Sequence, residues 1–85
     1  MRDIDRICKA VAHDQSVTVT FMMQPRQTKT RVKCRQLAMA LTRELTSLSW
    51  GEISEQFQVH HATAIRGVNR VKQSADYARL KTILE

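Results

Sequence analysis

His60 and His61 stand side by side, and Thr63, Arg66, Asn69 and Arg70 follow at steps of three and four residues. Imidazole, hydroxyl, amide and guanidinium groups at that spacing suit three kinds of chemistry. They can hold a metal, titrate near neutral pH, or hydrogen-bond the base edges and phosphates of a nucleic acid. Metal binding is disfavoured, because adjacent helical residues point about 100° apart. The remaining soft ligands, His13, Cys8 and Cys34, complete no ligand spacing. Glu44, Glu52 and Glu55 face no visible nucleophile–base pair, so no enzyme is expected. Two glycines, Gly51 and Gly67, are too few for a Walker-type phosphate loop. No cofactor, metal or small-molecule substrate is expected.

The charge balance favours the third chemistry. Fourteen Lys+Arg against eight Asp+Glu give a net charge of +6 over 85 residues, a balance that attracts polyanions. No apolar run reaches membrane-spanning length and Met1 opens a polar stretch, so no membrane association and a cytoplasmic, nucleoid-associated location are expected. Cys8 and Cys34 lie far apart and read as reduced, partly buried small hydrophobes.

Eighty-five residues make one domain, 1–85, and 5% aromatic content favours packed helices over an aromatic-rich sandwich. "DIDRICKAVAH" sets Ile4, Ile7, Cys8 and Val11 on one helical face, with Asp3 and Asp5 at the end where the helix dipole favours negative charge. "SVTVTFMMQ" has a strand-like β-branched run but no partner strand, so a short helix near Val19 to Met23 behind a Ser/Thr cap is expected. "QPRQTKTRVKCR" reads as a basic loop carrying Arg26, Lys29, Arg31, Lys33 and Arg35. It leads into a central helix from about Val32 to Thr46 with Leu37, Ala38, Ala40, Leu41 and Leu45 on its stripe. Met22, Met23 and Met39 read as core filler, and Trp50 as half-buried at a helix start. The last helix, "ADYARLKTILE", is expected to pack Tyr77, Leu80, Ile83 and Leu84.

Between those elements lie the residues that position the histidines. Ser49 and Glu52 form an S-x-x-E capping box for a helix whose Ile53 and Phe57 point inward. "QVH" is a turn, and a second helix from about His61 to Lys72 turns Ala64, Ile65, Val68 and Val71 inward. His61, Ala62, Arg66, Asn69, Arg70 and Gln73 are left outside. Two short helices with a basic second member are the parts of a helix-turn-helix, here over about residues 49–73. The fold class expected is all-α, five or six helices around that unit, Trp-repressor/initiator-like. The bland alternative is a helical hairpin whose basic face is merely solvated.

"CRQLAMALTRELTSLSWGEISEQF" and the following "VHHATAIRGVNRV" resemble the C-terminal DNA-binding domain (domain IV) of the bacterial chromosomal replication initiator family, DnaA. The upstream "IDRICKAVAHDQSVTVTFMM" falls over the family's first two helices without a gap, as in a stand-alone or truncated domain. The resemblance implies sequence-specific binding of double-stranded DNA, with a role in replication or transcription control. It implies major-groove contact by His60, His61, Ala62, Thr63 and Arg66, and minor-groove approach by Arg26, Gln27 and Lys29. Arg35, Gln36, Arg43, Thr46 and Arg70 fall on phosphate-contacting positions. His60 stands where the family has Asp, exchanging an acceptor for a donor, and Ala62 replaces the first Thr of a pair. A monomer, with a replication or regulatory protein as a further partner, is the expected state. A protein-interaction module that kept the fold and lost DNA binding would instead expose an apolar patch around Met22, Met23 and Trp50. An RNA-binding domain is disfavoured by the low aromatic content.

Overall fold

Capping chemistry divides the described residues into six helices before any packing is considered. The structure, a computed structural model, describes residues 3–24 and 28–85. Helix α1 (Asp3–Asp14) carries Asp3 and Asp5 in its first turn, where carboxylates oppose the positive end of the helix dipole. Thr18 accepts the Phe21 N–H to start α2 (Val19–Met23), and Thr28 accepts the Arg31 N–H to start α3 (Lys29–Leu45). The Ser49–Glu52 capping box is formed in both directions and opens α4 (Trp50–Phe57). His60 caps α5 (His61–Val71), and the Ser74 hydroxyl accepts the Tyr77 N–H to cap α6 (Ala75–Leu84). The short second helix falls on the residues expected of it.

Two helices end on a left-handed residue that is not glycine, Ser16 after α1 and Gln58 after α4. At the second, Gln58 donates its N–H to the Glu55 carbonyl at 3.2 Å and Val59 donates to the Ser54 carbonyl at 3.0 Å. This Schellman pair closes the turn between α4 and α5, and the side chain at 58 is held in the αL region at a cost of about 1–2 kcal/mol.

Helix α3 is the axle. It packs against every other helix, and Leu37, Ala38, Ala40 and Leu41 on it are fully buried. Ile7 and Val11 of α1, Met22 of α2, Ile53 and Phe57 of α4, Ala64 and Val68 of α5, and Leu80 of α6 complete one shared core. Both cysteines are buried and outside any disulfide, and burial pushes the Cys34 thiol up. Met22 and Met39 are buried, and Met23 and Trp50 are half-buried against the core. Of the three residues that a pure interaction module would expose there, Met22 is closed off, whereas Met23 and Trp50 remain partly exposed. No helix among the described residues is long and apolar enough to cross a membrane.

Two expectations are corrected, and one expected phosphate contact is found buried. Helix α3 starts at Lys29 rather than about Val32, because its first turn is anchored by an arginine instead of an apolar residue. Arg31 donates Nε–H to the Phe21 carbonyl at 3.0 Å and Nη2–H to Gln24 Oε1, with its guanidinium carbon 4.2 Å from the Phe21 ring centroid. Arg35, expected on a phosphate, is only 5% exposed. It lies one turn beyond Arg31 on the face that continues to Ala38 and Thr42, which is the buried one. Ile83 is 66% exposed, since the inward stripe of α6 runs from Tyr77 and Leu80 to Leu84 instead.

Candidate nucleic-acid interface

The α4–α5 unit is built on apolar contacts that leave one helix face outward. Ile53 and Phe57 point from α4 into the core, Ala64 and Val68 come from α5, and Val59 of the turn packs against them. Residues three and four apart share a helical face, so burying 64, 68 and 71 turns 62, 63, 66, 69, 70 and 73 to solvent. His60, His61, Ala62, Thr63, Arg66, Asn69, Arg70, Lys72 and Gln73 are all exposed. Ile65, expected inward, is half-buried at the margin.

This face has no negative side chain of its own. No Asp or Glu occurs between Glu55 and Asp76 in the sequence. Among the described residues, Arg66, Arg70 and Lys72 form no ion pair, whereas Arg79 and Lys81 of α6 do. Lys72, at the C-cap of α5, is not marked by the motif pattern. Its signal is its position, two residues beyond Arg70 in the same carboxylate-free run.

His60 does more than expected of it. Its Nδ1 accepts the Ala62 N–H at 3.1 Å, so the imidazole serves as the N-cap acceptor of α5. Replacing the family's Asp therefore retains a local acceptor while changing what faces outward. His61 and Thr63 occupy the first turn of the same helix, beside Ala62.

Helix α3 meets α5 at a notch. A Cβ added to the buried Gly67 would stand 2.8 Å from Gln36 Nε2 and 2.9 Å from its Cγ, so the Gln36 side chain lies over that glycine. Only a residue without a side chain lets α3 and α5 approach this closely with Gln36 between them. The notch sets the half-buried Gln36 side chain against α5 at Gly67, whose neighbour one turn on is Arg70. Nothing in the apolar pattern marks this contact. The glycine inside a helix is its one trace.

The remaining phosphate candidates sit at the α3–α4 corner. Exposed Arg43 donates Nη1–H to the Leu48 carbonyl at 2.9 Å, and its guanidinium carbon lies 5.4 Å from the Trp50 ring centroid. The Thr46 hydroxyl donates to the Thr42 carbonyl at 2.6 Å and accepts the Leu48 N–H at 3.2 Å. Its only proton is thus engaged inside the corner, while Arg43 retains further N–H groups facing solvent. Of the basic-loop residues, Lys29 is exposed at the first position of α3, and Arg26 and Gln27 lie outside the described residues. Among the described residues, no three His, Cys, Asp or Glu side chains converge as a metal site would need.

Comparison with known proteins agrees with this geometry. The family described as bacterial DnaA protein helix-turn-helix matches residues 4–71. The chromosomal replication initiator protein DnaA of Psychromonas ingrahamii is 38% identical over 71 residues, covering 82% of this chain and 16% of that protein. Its counterpart in Geotalea uraniireducens is 36% identical over 84 residues, covering 96% of this chain and 19% of that protein. The chain thus spans less than a fifth of the length of these relatives. The resemblance read from the initiator-like motifs is borne out, and the chain belongs to the bacterial DnaA helix-turn-helix family, which implies DNA binding.

Proposed function

We propose that this chain binds double-stranded DNA sequence-specifically, with the N-terminal half of α5 in a major groove. One observation carries the reading above the others. The exposed face of α5 joins hydrogen-bonding side chains to cations that no described carboxylate neutralises, on a helix aimed by a buried α4 contact. Base edges take side chains such as His60, His61, Thr63 and Arg66, and Ala62 offers a methyl for a thymine methyl. Phosphates take Arg70, Lys72 and the Gln36 amide in its notch, with Arg43 at the far corner. Arg35 and Thr46 act in support, one packed into the core and the other closing the α3–α4 corner. Lys29, with Arg26 and Gln27, approaches the neighbouring minor groove. Contacts to two grooves from one copy need no two-fold partner, so the binding unit is a monomer on an asymmetric site. It serves replication or transcription control at the nucleoid, alone or beside a regulatory protein.

The test is site selection from random duplexes, followed by titration of the selected duplex at several salt concentrations. A single selected motif and an affinity falling steeply with salt are expected. A chain that selects no motif lacks the specific function.

A further inference from the structure

We propose that His60 meets the major groove as a donor only, and so selects against cytosine at the base it faces. The inference rests on α5 lying in a major groove. Its basis is the cap. In the other four side-chain-capped helices a Thr or Ser oxygen does the capping, whereas at α5 a ring nitrogen does.

Accepting the Ala62 N–H at 3.1 Å requires the lone pair of Nδ1. A neutral imidazole has one donor and one acceptor nitrogen, so the cap places the ring proton on Nε2. The side chain is exposed at the leading end of α5, which leaves Nε2–H as its outward polar group. The folded backbone thus fixes the tautomer before any DNA arrives.

In the major groove, guanine offers two acceptors, N7 and O6. Adenine offers N7 and thymine offers O4, but cytosine offers only its N4 amino donor. A donor-only side chain bonds to any of the first three and meets cytosine donor to donor. Guanine is the best match. An Asp at the same cap would do the reverse, holding the Ala62 N–H with one oxygen and accepting from cytosine N4 with the other. One substitution therefore inverts the polarity at position 60 while keeping the cap.

The experiment selects binding sites from random duplexes with the parent, His60→Asp and His60→Asn. Asn caps through its carbonyl and keeps an outward N–H donor. The parent and His60→Asn should exclude cytosine at one and the same position. His60→Asp should favour cytosine there by about fivefold to tenfold, with the rest of the motif unchanged. Identical motifs from all three proteins would overturn the inference while leaving DNA binding intact. If the parent selects no motif, the functional reading itself fails, and this inference with it. Long-range nitrogen–proton NMR on the free parent protein gives a test independent of the variants' folding. A proton on Nε2 of His60 is the expected result, and a proton on Nδ1 would overturn the proposal.

Discussion

The outer face of α5 and the edge of α6 carry the same kinds of side chain and use them oppositely. On α6, Arg79 holds Asp14 through Nε at 3.0 Å and Nη2 at 2.8 Å, and Nη2 also meets Asp76 at 2.6 Å. Lys33 of α3 closes the cluster on Asp76 at 2.6 Å, and Lys81 pairs with Glu44 at 3.1 Å. The cations there fasten α6 to α1 and α3. On α5, Arg66, Arg70 and Lys72 fasten nothing among the described residues. A net charge of +6 therefore understates how uneven the molecule is. One edge is internally neutralised, and the other is left for a polyanion.

The largest change expected is one that removes the support of both faces. Phe57→Ala takes a fully packed ring from the joint between α4 and the core, at a cost of about 3–5 kcal/mol. Against the few kcal/mol that hold a chain of this size, thermal melting should show loss of most of the cooperative transition. Next, the double change Arg66→Ala with Arg70→Ala should lower duplex affinity by about tenfold or more. It should also flatten the log–log salt slope by about 0.9 for each phosphate no longer neutralised. Arg79→Ala should lower the thermal midpoint and leave that slope unchanged. Equal slopes for the two variants would erase the contrast between the faces.

Acid should loosen the α6 edge. Hydrogen bonds from Lys33 first and Arg79 second hold the Asp76 carboxyl down at about 2, and Arg79 likewise lowers Asp14. Carboxylates depressed in the folded state stabilise it fully above their unfolded values, near 4, and lose that contribution as pH falls toward 2. Stability should therefore drop over that window, by roughly 1 kcal/mol for Asp76 after solvent screening and in the same direction for Asp14, and Asp76→Asn should remove part of the drop. Denaturant titrations at pH 5 and pH 2.5 measure it. The smallest effect expected is at the turn, where Gln58→Gly should stabilise the fold by about 1 kcal/mol by relieving its left-handed side chain. A lowered denaturation midpoint would show that Gln58 makes a contact worth more than the strain.

Much of the scaffold is legible because it follows local rules. The Ser49–Glu52 box, the short helix behind Thr18 and the inward residues Ile53, Phe57, Ala64 and Val68 are set by capping and by helical spacing. What is not legible depends on contacts between distant residues. Arg31 replaces an apolar anchor in the first turn of α3, so the hydrophobic pattern begins too late. Arg35 looks like a surface cation until its register with Arg31 is known. Gln36 gains a place beside α5 only because position 67 lacks a side chain. The family resemblance alone makes His60 a missing acceptor, since it says nothing about which ring nitrogen a helix N-terminus engages. Motif and face are readable, whereas the polarity of the reading edge requires geometry.

The most direct measurement is a titration of the selected duplex into nitrogen-15-labelled protein, following every backbone amide. The predicted shifts concentrate at residues 60–63, 66, 69 and 70 and at Gln36, with residues 76–81 of α6 unmoved. Shifts centred on α6, or none at all at stoichiometric duplex, would contradict the assignment of α5 as the DNA-reading face.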